Sequence, residues 1–257
     1  MSDVRRRFVR LSIFLLPALM ILAALHFFRG DLRDAAPSLM MPRYTFDNVT
    51  FIMRGRSRAE LLAPWTLETI SELKKRGAIY GLKAPEAGFL IEVQSAGVAS
   101  ECAVKSNRIV IRGIRDDAPW EQIKEDLSRL IARSMLREGA PDADFSPWFE
   151  EGVSRYYEGT LPPFGSRKVE LIIKAARNPP ASLEAALEAR PASAYFEAVS
   201  HSIIAFLHEA YTADLIAKYA EIERAPGSVM LGEFQRIFGK DVEKEWREFL
   251  EKRQKGS

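Results

Sequence analysis

With 257 residues, 47% of them hydrophobic and 28% charged, the chain has a globular composition and length enough for one generous domain or two small ones. Its single cysteine, Cys102, excludes an internal disulfide and any multi-cysteine zinc module, and three histidines, His26, His201 and His208, cap the supply of imidazole ligands. Residues 1–30 hold five Arg and one Asp, so the whole-chain net charge of +2 gives way to 32 basic and 34 acidic residues beyond them, a net of −2. No concentrated basic face remains for a phosphate backbone, which argues against nucleic acid as a partner.

Residues 1–10 are basic, with Arg5, Arg6, Arg7 and Arg10, and lead into LSIFLLPALMILAALHFF, residues 11–28, a run without formal charge if His26 is neutral. Eighteen residues are about the length at which a helix crosses a hydrocarbon core of ~30 Å. A secretory signal has a shorter apolar region and a small-residue cleavage site, whereas this run ends in LHFFRG. The expectation is an uncleaved transmembrane signal anchor over 11–28, a cytoplasmic N-terminus by the positive-inside rule, and an extracytoplasmic remainder on the periplasmic or cell-surface side. Residues 29–43 then read as a tether and 44–257 as one domain.

YTFDNVTFIM (44–53) has strand composition with a phase change at Asp47-Asn48, which predicts a bulge or tight turn there. Helical spacing follows over 57–75, with Leu62, Trp65, Ile70 and Leu73 inward, Gly77 as the stop and Pro64 disturbing the first turns. GFLIEVQ (88–94) and NRIVIRG (107–113) read as two more strands. From Asp117 on the chain is almost wholly helical. One helix is expected around Ile123, Leu127, Leu130 and Ile131, one from Ser146, and others over 167–177, 182–189, 194–211 and 214–222 and around Phe234 and Trp246. Strands first and helices second describe an α+β domain.

SPWFEEGVSRYYEG (146–159) carries the densest chemistry, with Ser146 as a candidate N-cap, Pro147 at the first helical position and the acidic pair Glu150-Glu151 behind it. PWFEEGVSRYYEG is similar to the PxWLxEGxAxYxEG stretch of gluzincin metallopeptidases with a peptidase MA-like domain. AYFEAVSHSIIAFLHEAY resembles their following aYxxaxxfvxyLxexYG helix, and FQRIFGKDVEKEWREFL their closing FxxxfGxsxxxfexxWxxxL. The three stretches keep the family's order, and the similarity runs from about Tyr44 to the C-terminal helix. The resemblance implies a small N-terminal sheet with a helix, then a mostly helical gluzincin-like part. It also implies that Glu151 stands at the position of the third zinc ligand.

In active members of that family a preceding helix carries HExxH, whose histidines lie one turn apart on one face and whose glutamate is the general base. Here that helix reads EDLSRLIARSML and contains no histidine in any register. The best placement puts the motif on Ser128, Arg129, Leu130, Ile131 and Ala132, and a shift of a residue or two brings in Arg133 or Ser134. One glutamate cannot hold a catalytic zinc, so no metal or other cofactor and no catalytic residue are expected.

Two readings of Glu151 stay open: a first-turn carboxylate favoured by the helix dipole with Arg155 as its i,i+4 partner, or a partner for Arg129 or Arg133 where a cation once sat. Trp148, Glu150, Tyr195, His201 and His208, with Tyr156 and Tyr157, are candidates for a cleft wall, although aromatics at helical spacing also serve as core. His201 and His208 lie seven residues apart, a rise of ~10.5 Å, too far for joint capture of one ion. Cys102 has no base close in sequence to activate it. The resulting expectation is a membrane-anchored metallopeptidase-like protein without zinc chemistry that binds a protein or peptide partner. Alternatives are a peptidase with a ligand set drawn from Asp144, Glu150, Glu151, His201 and His208, and a structural envelope domain.

Overall fold

Alternating apolar residues and a two-residue turn shape the start of the sheet. The computed structural model describes residues 41–94, 103–105, 107–112, 120–158, 165–189, 194–225 and 231–255. Strands β1 (Arg43–Phe46) and β2 (Val49–Ile52) pair antiparallel with Phe46 opposite Val49, so Asp47-Asn48 is a tight turn, and Asp47 takes a positive φ of 48°. This is the phase change expected from the sequence, resolved as a hairpin.

Helix α1 (Arg56–Arg76) crosses over from β2 to β3 (Phe89–Val93), which lies parallel to β2. Pro64 sits inside α1 without ending it, Leu62, Ile70 and Leu73 are buried as expected, and Gly77 caps the C-terminus before a 3₁₀ turn, Gly77–Tyr80. Strand β4 (Ala103–Lys105) pairs antiparallel with β5 (Arg108–Ile111), and β5 runs parallel to β3. The five strands stand in the order β1-β2-β3-β5-β4. Val49, Phe51, Phe89, Ile91, Ile109 and Ile111 project from one face of the three central strands and are buried.

Helices complete the domain: α2 (Trp120–Gly139), α3 (Pro147–Tyr156), α4 (Gly165–Arg177), α5 (Leu183–Leu187), α6 (Ala194–Ala210), α7 (Ala213–Arg224), α8 (Leu231–Phe238) and α9 (Val242–Lys255). The buried residues of the sheet and α1 join Ile123, Leu127, Leu130 and Ile131 of α2 and the inner faces of α3, α6, α7, α8 and α9 in one hydrophobic core. The architecture is thus α+β, a small sheet followed by a mostly helical part. The compact unit starts at Arg43. Among the described residues no helix is long and apolar enough to cross a membrane; residues 11–28, where the anchor is expected, lie outside them, as do His26, Cys102 and Asp117.

Helix α3 packs between α2 and α6. At its closest approach to α6, Gly152 has room for nothing more: a Cβ there would lie 2.6 Å from the backbone oxygen of Ser200 and 2.7 Å from Ile204. The glycine of the Glu-Gly pair therefore belongs to helix packing.

Candidate functional site

Pro147 opens α3, and the aromatic cluster of Trp148, Phe149, Tyr219 and Phe234 fixes its first turn against α7 and α8. Trp148 is 1% exposed, so it belongs to the core and not to a cleft wall. Ser146 makes no side-chain cap. Its backbone N–H instead donates to Glu223 Oε2 of α7 at 3.0 Å, and Tyr219 Oη donates to Glu223 Oε1 at 2.7 Å. A buried carboxylate thus supplies the N-terminal anion that the helix dipole favours. Burial raises the Glu223 carboxyl above its usual range, against the pull of those two donors.

Three arginines at four-residue spacing, Arg129, Arg133 and Arg137, line the side of α2 that meets the acidic pair. Arg137 grips both oxygens of Glu150 through Nε and Nη2, and Arg133 Nη2 reaches Glu150 Oε2 at 3.0 Å. Burial would push the Glu150 carboxyl up, but Arg137 and Arg133 together hold it below the usual carboxylate range. Glu151 is 3.7 Å from Arg133 Nη2 and 3.9 Å from Arg129 Nη1, while Arg155 Nε donates to its Oε1 at 2.8 Å. Arg129 also faces Asp126 at 3.5 Å.

The ladder continues along α3 to its C-terminal end. Arg155, 3% exposed, donates through Nη1 to both oxygens of Glu158 at 3.0 and 2.9 Å and pairs with Glu197 of α6 at 2.7 Å. Burial opposes its charge, but Glu158, Glu151 and Glu197 outweigh that and raise its proton affinity.

The residues one turn apart that face Glu151 are therefore Arg129 and Arg133, one position on from the Ser128/Ala132 placement. Ser128 and Ala132 are fully buried, and the Ser128 hydroxyl donates to the backbone oxygen of Glu125 at 3.0 Å. Each expected partner of Glu151 is present, with Arg155 the closest, whereas the shortest contact of Arg133 is with Glu150.

A second cluster lies at the other end of α3. His208 stacks on Tyr156 with ring centroids 4.1 Å apart and an interplanar angle of 1°, and its Nε2 shares a hydrogen bond with Tyr80 Oη at 2.9 Å. Burial and the nearby Lys168 of α4 bring His208 down to about 4. His201 is 1% exposed and tilted against the same tyrosine at 6.3 Å. Among the described residues neither of its ring nitrogens makes a hydrogen bond, although the backbone of Lys168 acts on the ring so as to favour its charged form. Burial, Lys168 and Arg155 bring His201 down to about 3. Lys168 Nζ sits 5.3 Å over the Tyr156 ring. Tyr195 is half-buried, its hydroxyl raised by burial.

These residues do not fit a zinc ion. The side chains facing Glu151 from α2 are guanidiniums, which are cations with no lone pair to give, and the carboxylate of Glu151 already pairs with Arg155. Among the described residues no group of three or more His, Cys, Asp or Glu side chains could hold a metal ion, and Asp144 is exposed ahead of α3. What the site can do is hold the Glu150 carboxylate ionised and lock α2, α3 and α6 together.

The sequence reading missed Arg137, Glu158, Glu197, Lys168 and Glu223. The i,i+4,i+8 arginines opposite an acidic pair were a signal for the first of these. No family model matches the chain, and no curated protein matches it in sequence.

Proposed function

We propose that the chain is a single-pass membrane protein, held by residues 11–28, whose extracytoplasmic domain is a degenerate gluzincin of the peptidase MA-like type that binds a protein or peptide partner and does not hydrolyse it. The reading is supported above all by the surroundings of Glu151. The carboxylate that the resemblance assigns to a third ligand has Arg129 and Arg133, one turn apart, where the family has its two imidazoles. A guanidinium neutralises the carboxylate but provides no Lewis-acid position to lower the pKa of a water.

Elemental analysis of the full-length protein in detergent tests this, together with cleavage of casein and of a mixed peptide library with and without chelator. No retained zinc and no chelator-sensitive cleavage are expected. One equivalent of zinc with chelator-sensitive cleavage overturns the proposal. Crosslinking from intact membranes then identifies the partner.

A further inference from the structure

The cluster around Tyr156 adjoins the arginine-glutamate ladder, feeling Arg155 at His201 and Glu158 at Lys168, but has an imbalance that the ladder lacks. Lys168 is half-buried, and among the described residues no hydrogen bond or ion pair meets its ammonium; its contact is with the face of Tyr156. Glu158, the carboxylate that acts on it, is already held through both oxygens by Arg155. Arg76, at the end of α1, adds positive charge from another side, acting on both Lys168 and Tyr156 while its own Nε is bonded to Glu72 at 3.1 Å.

His201 lies near Lys168 and is buried, with neither ring nitrogen in a hydrogen bond among the described residues, a costly arrangement inside a packed domain. Tyr80 and His208 satisfy each other, and Tyr157 Oη donates to the Arg76 backbone oxygen at 2.7 Å. The result is an aromatic face with an under-neutralised ammonium over it and a buried imidazole nearby.

We propose that Lys168, His201 and the face of Tyr156 form a binding site for a small oxyanion of the phosphate or carboxylate type. The anion pairs with the Lys168 ammonium, whose nearest acting carboxylate, Glu158, is shared with Arg155, and accepts a hydrogen bond from the neutral His201 ring. The site does not depend on the peptidase-like reading and stands if that reading fails.

The three histidines make the test direct. Full-length protein labelled at histidine Cε1 is titrated with inorganic phosphate and, separately, with acetate, with sodium chloride at matched ionic strength as the control. Saturable movement of the His201 and His208 signals with at least one oxyanion, and none at His26, is expected. The saturating anion identifies the chemical class. Lys168→Met weakens binding about tenfold or more, while Lys168→Arg, which keeps the charge, retains most of it. Unsaturable movement, an equal response to chloride, or unchanged affinity in Lys168→Met overturns the proposal.

Discussion

Arg133 Nη2 lies 3.0 Å from Glu150 Oε2, joining α2 to the first turn of α3, and the same nitrogen is 3.7 Å from Glu151 Oε2. One guanidinium thus spans two adjacent carboxylates that would otherwise repel each other in a buried setting. Everything else in the ladder is built outward from this bridge.

Arg155 carries the heaviest part of that ladder, because it pairs with Glu151, Glu158 and Glu197 at once. Arg155→Met removes the buried guanidinium that these carboxylates share and is expected to lower stability by ~3–5 kcal/mol. Glu151→Ala costs less, since Arg155 keeps its other two partners, yet it still lowers Tm. Urea denaturation of both variants checks the order, and a double-mutant cycle between Arg155→Met and Glu158→Gln should show coupling. An unchanged Tm for Glu151→Ala removes the pairing from the account.

If α2 holds the place of the zinc-binding helix, the positions to restore are the two that face Glu151. Arg129→His together with Arg133→His sets two imidazoles one turn apart opposite that carboxylate, and the variant is expected to retain about one zinc per chain where the parent retains none. Leaving out the second substitution should abolish the gain. Elemental analysis after dialysis reads the outcome directly.

Acid should loosen the domain. His201 and His208 titrate at about 3 and about 4 when folded, against an ordinary value near 6.5, so the unfolded chain binds protons that the folded one refuses. Their contribution is complete above about pH 6.5 and falls as the pH drops towards those folded values. Glu150, held below its usual range, adds a loss of the same sign at lower pH, while Glu223, raised by burial, acts in the opposite direction. Tm measured between about pH 7 and about pH 4 should therefore decline, and His208→Asn should flatten the slope.

Gly152→Ala tests the crossing of α3 and α6. A methyl group 2.6 Å from a backbone oxygen cannot be accommodated by rotating a side chain, so the helices must separate, at a cost of ~1–3 kcal/mol. The loss should appear as a lower Tm and as faster amide exchange in α6.

The hairpin turn at Asp47-Asn48, the inward face of α1 and the order of the helices were legible because each is written in local periodicity. Strand β4 was not: three residues beside Cys102 carry no alternation, and only pairing with β5 makes them a strand. Continuity of α1 through Pro64 rests likewise on packing, with Leu62 and Ala63 buried before the proline and Thr66 buried after it. At the site, the acidic pair and the arginines that face Glu151 could be named in advance, but Arg137 and the register of α2 could not. The choice between Ser128/Ala132 and Arg129/Arg133 depends on how α2 is rotated against α3. Ser146 illustrates the same limit, since its expected cap is displaced by a carboxylate that lies 77 residues away in the chain.

That displacement bears on biosynthesis. A domain emerging from the ribosome N-terminal end first will have made the acidic pair, and Arg129, Arg133, Arg137 and Arg155 that meet it, long before Glu223 exists. Until α7 follows, the start of α3 lacks its counter-ion, so a nascent chain halted short of residue 223 should be cut by protease near Ser146 while the finished chain resists.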